Sequence, residues 1–236
     1  MVRMGRRPKA LISWSSGKDA AWALHEVRRA GQYDVVGALT MIEEDSRAVS
    51  IHGVRREVMD AQHAAAGLAS IFIPVPHPCT NAIFEARIQG VLAQARALGV
   101  TYLVFGDLCL EDIRAERHDR LAGSGIEPLF PIWGRPAIAR EMIDAGLESY
   151  LVCVDLGRLP RQFAGRRFDH ALLADLPAAV DPCGERGEYH TCVVAGPMFS
   201  RRIDVTIGAT IEQDGYAYTD LIPGRASAAQ HPAGAL

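Results

Sequence analysis

Short apolar runs alternate with longer stretches of helical periodicity through the first half of the chain. Residues 9–14 (KALISW), 34–42 (DVVGALTMI), 69–75 (ASIFIPV) and 101–106 (TYLVFG) are apolar and bounded by polar or glycine punctuation, the signature of strands buried on both faces. Between them, residues 19–30, 54–67 and 81–99 space their apolar positions as helices do. Glycines stand at 31, 67 and 99, where left-handed C-terminal caps belong. In the third stretch Ile83, Ala86, Ile88, Val91, Leu92, Ala95 and Leu98 give one apolar face for a sheet. Strict alternation predicts a doubly wound parallel α/β sheet with right-handed crossovers and helices on both faces. In such sheets ligands gather at the carboxyl ends of the strands, near the topological switch point. The loops at 15–19, 41–53 and 106–112 lie there.

After residue 110 the pattern loosens. Residues 112–122 and 135–146 read as helices, the second with Pro136 suited to its first turn. Residues 149–156 (SYLVCVDL) read as a further buried strand extending the first sheet, and 168–176 as a short helix. A dense polar segment follows at 181–191 (DPCGERGEYHT). Residues 202–211 and 216–222 flank Gln213-Asp214-Gly215, a hairpin signal because Asp-Gly tolerates positive φ. From Pro223 onward small residues, Pro and Gly predict a disordered tail.

Composition narrows the classes. With 236 residues, 49% hydrophobic and 22% charged, the chain is an ordinary globular one. A net charge of −3, from 25 basic and 28 acidic residues, supplies no field for strong nucleic-acid binding. The five cysteines, Cys79, Cys109, Cys153, Cys183 and Cys192, never form a CxxC pair, so neither a disulfide framework nor a zinc ribbon is indicated. Cys79, Cys109 and Cys153 are expected to be buried thiols. A zinc set of Cys183, His190 and Cys192 would lack a partner pair elsewhere. The basic N-terminus is followed by an apolar run, residues 10–14, too short for a signal peptide, and no stretch approaches the ~20 apolar residues of a membrane span. A soluble cytoplasmic protein is expected, with a second copy of the chain as one candidate partner.

Ser15-Ser16-Gly17-Lys18-Asp19 lies between a strand and an amphipathic helix, where small residues let backbone N–H groups converge on an anion and the helix dipole favours negative charge. Phosphate is the natural ligand. The spacing is neither GxxxxGK[ST] nor GxGxxG, and a plain strand-to-helix turn with Asp19 in the first helical turn would look similar. Of the 25 basic residues only Lys9 and Lys18 are lysines, so one of two compact point charges falls in this loop.

LISWSSGKDA resembles the SGGKDS signature of the PP-loop, the pyrophosphate-binding loop of the N-type ATP pyrophosphatases. FGDLCLEDIRAERHDRLAGSGIEPLFPIWGR and DPCGERGEYHT are similar to later motifs of diphthine–ammonia ligase-like members, so the likeness runs from about residue 9 to 222. The resemblance implies a Rossmann-like fold of the adenine nucleotide alpha hydrolase kind. It divides the chain into an ATP-binding PP-loop domain at 8–118, a smaller C-terminal α+β substrate domain at 119–223 and a tail at 224–236. The implied activity is an AMP-forming C–N ligase: a carboxylate is adenylated by ATP with release of pyrophosphate, and ammonia displaces AMP to leave an amide. ATP, Mg, ammonia and an unidentified carboxylate acceptor are the implied ligands. Arginine and alanine bias suggests a GC-rich genome, and in a bacterium diphthine would be absent, so the acceptor stays unnamed.

Carried onto this chain, the resemblance implies that Ser15 and the backbone of Ser16 and Gly17 hold pyrophosphate. Lys18 neutralises it, Asp19 orients the loop or ligands Mg, and Ala20 closes the motif. Ser16 replaces a usual glycine, and Ala20 replaces a serine, removing a hydrogen bond to phosphate of roughly 1.5–3 kcal/mol. Leu39, Thr40 and Met41 would receive the adenine through backbone groups, with His52 and Gly53 bordering ribose or substrate. Gly106 and Asp107 are metal or ribose candidates, and Trp133 would wall the substrate cleft. Arg114 and Arg117, three apart on one helix face, can reach a common anion. Cys183, Gly184, Glu185, Glu188, His190 and Thr191 would bind the acyl substrate or ammonium, with Glu188 or His190 deprotonating it. Two other classes stay open: a PP-loop enzyme adenylating a tRNA base, disfavoured by the missing CxxC pairs, and a nucleotide-binding sensor without turnover.

Overall fold

The computed structural model describes residues 6–44, 53–76, 78–135 and 138–224. The expected helices and strands of the first half form in chain order: β1 (Lys9–Ser13), α1 (Lys18–Ala30), β2 (Asp34–Glu43), α2 (Arg56–Ala66), β3 (Ala69–Val75), α3 (Asn81–Ala97) and β4 (Val100–Val104). Gly31 and Gly67 end their helices at φ 66° and 65°, and Gly99 at φ 83° follows α3. Next come α4 (Glu111–Leu121) and a short strand, β5 (Glu127–Leu129). All pairs are parallel, in the order β3-β2-β1-β4-β5, so the switch point lies between β1 and β4.

Alternate residues of β1 serve opposite layers, as a doubly covered strand requires. Ala10 and Ile12 join the core with α1 and α2, while Leu11 joins that with Ile88 and Leu92 of α3.

Two expectations need correction. The fifth strand of the first sheet is β5, whose Glu-Pro-Leu is too short to announce itself, and this sheet therefore runs past residue 118. Residues 149–156 do not extend it. That segment is β6 (Glu148–Asp155), which opens a second, antiparallel sheet with β7 (Tyr189–Ala195), β8 (Val205–Gln213) and β9 (Tyr216–Pro223) in the order β7-β6-β9-β8. An apolar run specifies burial on both faces but not a partner, and here the faces belong to a second layer. The β8–β9 hairpin turns at Asp214 and Gly215, both at positive φ (51° and 83°). The short helices α5 (Ile138–Asp144) and α6 (His170–Asp175) complete this half.

The second half packs on the α1 and α2 face. Leu151, Val152, Tyr189 and Val193 share one core with Trp22 and Leu24 of α1 and Val58 and Met59 of α2. Arg55, which caps α2, makes a two-pronged ion pair with Asp220 of β9 (2.7 Å each). No helix of the described residues is long and apolar enough to cross a membrane. His52, Pro136 and most of the expected tail lie outside the described residues.

Candidate functional site

β1 ends at Ser13, and residues 14–17 turn the chain into α1. Ser16 occupies the left-handed region at φ 76° and is fully buried. A non-glycine residue pays about 1–2 kcal/mol there, so its surroundings must hold it. They do: Ser16 Oγ donates to Thr191 O (3.3 Å), while Ser16 O accepts from Val193 N (2.9 Å) and from Gln62 Nε2 (3.1 Å). Lys18 N donates to Thr191 Oγ1 (3.0 Å). The loop is thus laced along β7, and Thr191, read from the sequence as a substrate contact, caps the start of α1. Gly17, the residue before the helix, offers no side-chain cap.

The Lys18 ammonium turns inward and is 2% exposed. It pairs with Asp19 Oδ2 (2.8 Å), donates to Cys183 O, and lies 5.4 Å and 5.7 Å from the ring centres of Tyr189 and Phe168. Burial pulls its pKa down, but Asp19, Tyr189 and Cys183 together more than offset this, and the pKa stands above the ordinary lysine value. Lys18 therefore ties the start of α1 to the 181–191 segment. Asp19 Oδ1, by contrast, is buried without a hydrogen-bond partner, and burial pushes this carboxyl's pKa up, with Lys18 opposing.

β4 leaves the sheet beside this loop. At Gly106 a Cβ would lie 2.6 Å from Ala20 N and from the Asp19 carbonyl carbon, so only glycine lets β4 pass the first turn of α1. Asp107 pairs with Arg117 Nε (3.4 Å), and Leu108 N donates to Glu185 Oε2 (3.2 Å). Glu185 is pushed up to about 7, chiefly by burial and then by the charge of Asp19. It lines a cavity of about 330 Å³ with Leu108, Cys109, Arg135, Asp181 and Cys183, drawn from both halves.

The rest of the 181–191 segment is turned largely inward. Glu188 is 2% exposed, and its oxygens accept from Asp181 N (3.2 Å) and Arg186 N (3.0 Å). Gly184, at φ 67°, leaves no room for a Cβ against Tyr189 O (2.9 Å). His190 is pushed down to about 4 by burial and Lys18, so it is neutral at pH 7. Burial pushes the Cys183 thiol up to about 12, which keeps it protonated and a poor nucleophile. Cys109, expected buried, is exposed, because it stands on the loop after β4; Cys79 is half-buried and Cys153 buried.

Two predicted groups lie at the rim. Arg114 stacks 4.6 Å over Trp133 and 5.3 Å from the Phe130 ring centre, while Arg117 lies 5.1 Å over Phe105 and pairs with Asp107, so the two guanidiniums have different partners. On β2, Thr40 is buried with its hydroxyl 3.3 Å from His63 Nε2, on the side of α2. Leu39 O accepts from Trp14 N (2.8 Å), and strand alternation puts the Met41 backbone on that same edge, beyond the end of β1. Ser15 is half-buried at the loop's mouth.

Sequence reasoning missed Gln62. Fully buried on α2, it accepts from the Trp14 indole (2.9 Å) and donates to Ser16 O and to Val193 O (2.7 Å). Its place on the helix face of Val58, Met59, Ala65 and Ala66 is the one signal that marked it.

The donor set fits a magnesium ion held with phosphates. Magnesium uses one or two protein carboxylates together with substrate phosphates, and Asp19 Oδ1, buried with no hydrogen-bond partner among the described residues, provides one. Among the described residues no cluster of three or more His, Cys, Asp and Glu could hold a metal by itself, the zinc set included.

Comparison with known proteins agrees with both halves. Residues 8–125 match the family model of the diphthamide synthase N-terminal domain, and residues 135–221 match that of the C-terminal domain. The diphthine–ammonia ligase of Schizosaccharomyces pombe is 30% identical over 94 residues, which cover 37% of this chain and 16% of that relative.

Proposed function

Because the chain belongs to the diphthamide synthase family, with both of its domains matched, we propose that it is an ATP-dependent ligase that adenylates a carboxylate, releases pyrophosphate and forms an amide with ammonia. The observation that carries this reading is Glu185, a carboxylate pushed up to about 7 in a cavity walled by residues 108–109, 134–135, 181–183 and 185. A mere nucleotide sensor has no use for such a group.

When bound, ATP supplies the adenylyl group and the pyrophosphate leaving group, and magnesium spreads the charge between phosphates. The chain's own residues do the rest. The loop at 15–17 and the first turn of α1 beyond Lys18, whose N–H goes to Thr191, would offer backbone N–H groups to the phosphates, and Asp19 would hold the magnesium ion. The β2 edge at Thr40 and Met41 lies where an adenine would pair with backbone groups. Lys18 acts from beneath, holding the 181–191 segment against the loop and contributing its charge at short range. Glu185 accepts a proton from ammonium in the cavity and returns neutral ammonia to the reacting carbonyl. Asp181 supplies a second negative wall for that cation.

The acceptor enters from the other side. A cleft of about 730 Å³ between α3 and α4, lined by Phe84, Glu85, Arg117 and Arg120, meets the site at the Arg117–Asp107 pair. Arg117 orients the acceptor carboxylate there. The test is product analysis with ATP, magnesium, ammonium and candidate carboxylates. AMP and pyrophosphate should form in equal amounts, with an amide product; release of ADP and phosphate overturns the reading.

A further inference from the structure

The Gln62 carboxamide is oriented without ambiguity. An indole nitrogen only donates, so Gln62 Oε1 must face Trp14 Nε1 (2.9 Å). Its Nε2 is thereby left to face two carbonyls, Ser16 O (3.1 Å) and Val193 O (2.7 Å), with Cys192 Sγ a longer contact at 3.5 Å. The side chain is fully buried and bridges the end of β1, the phosphate loop and β7 of the other half.

One of these bonds bears on function. The carbonyl of residue 16 and the N–H of residue 17 belong to one planar trans peptide and point in opposite directions. With Ser16 O drawn toward Gln62 on α2 and Val193 on β7, the Gly17 N–H is turned away from both elements. A phosphate seated at the start of α1 on the side away from α2 and β7 would meet this N–H. The buried serine at positive φ sets up the same turn from within the loop, and Gln62 holds it from outside.

We propose that Gln62 is a positioning residue for nucleotide binding: by holding the Ser16 carbonyl it aims the Gly17 N–H at the pyrophosphate portion of ATP and ties that aim to the docking of β7. The inference rests on the nucleotide reading above. It differs from a packing role in one respect: AMP lacks the pyrophosphate, so its affinity is insensitive to this peptide.

The probes are ATP, AMP and inorganic pyrophosphate, titrated by calorimetry against the full chain. Gln62→Met loses both donors, and Gln62→Glu keeps the side-chain shape and the acceptor for Trp14. Each should weaken ATP and pyrophosphate by tenfold or more while AMP stays within twofold. Equal losses for ATP and AMP mark a structural role and overturn the proposal, as does unchanged ATP affinity. A second measurement needs no variant. Labelling serine carbonyl carbon and glycine nitrogen marks only the Ser16–Gly17 and Ser124–Gly125 peptides. Pyrophosphate should move the Gly17 signal in the wild-type chain and leave that of Gly125 in place; an unmoved Gly17 signal in a chain that binds ATP overturns the inference alone. A wild-type chain that binds neither ATP nor pyrophosphate overturns the nucleotide reading and the inference with it.

Discussion

Glu185 and Glu188 stand three residues apart in opposite surroundings. Glu185 carries one backbone hydrogen bond and faces a cavity, so the negative charge of Asp19 and partial burial push it up to about 7. Because its folded pKa exceeds the ordinary value, the folded state holds the proton longer, and stability falls as pH rises from about 4.5 to 7. Glu185→Gln can still accept from Leu108 N. It should therefore raise stability above pH 7 by on the order of 2 kcal/mol, measured by urea unfolding, while amide formation drops at least a hundredfold. In the wild-type chain the rate should rise through pH 7 as the base is freed; a flat profile across that range would count against Glu185. Glu188 binds two backbone N–H groups and is buried. Glu188→Ala should cost roughly 3 kcal/mol of stability, and residual turnover should track the folded fraction.

At the scale of elements, the site depends on how closely β4 passes α1. Gly106→Ala would press a Cβ onto backbone atoms of Asp19 and Ala20, which no side-chain rotation relieves. The expected result is a loss of about 2 kcal/mol or more in stability and at least tenfold weaker ATP binding, read by denaturant titration and calorimetry. The α/β alternation behind this arrangement was legible in the sequence because hydrophobic period and glycine caps are local properties. β5 was not, since three residues carry no period, and β6 was assigned to the wrong sheet because an apolar run does not name its neighbour. The roles within 181–191 were illegible for a similar reason. Glu185 and Glu188 look alike until one knows which of them meets Leu108 and which closes its own turn.

Across the described residues, two buried histidines contribute to the acid response. His63, between Thr40 and Ser70, and His190, on β7, are each pushed down to about 4, His63 by burial with Arg56 nearby. Their folded pKa lies below the ordinary value, so the stability they contribute is complete above about pH 6.5 and is lost as pH falls through 4. Glu185 and Asp19, both raised, run the other way over part of this window. The histidine contribution should weaken progressively between pH 6.5 and 4. His63→Gln should flatten that slope in urea titrations at successive pH values. An unchanged slope would place the acid sensitivity elsewhere.

By itself the sequence determined the alternating elements, the phosphate-loop position and the dense 181–191 segment, because periodicity, punctuation and short motifs are written in neighbouring residues. Only the tertiary structure decided that Lys18 is buried as a tie between the halves, that Glu185 is the carboxylate left facing a cavity, and that Gln62 holds the loop from a different helix. Each of these depends on what lies across a gap of many residues. Burial, hydrogen-bond partners and the fields of neighbouring charges are set by that packing, and no local pattern encodes them.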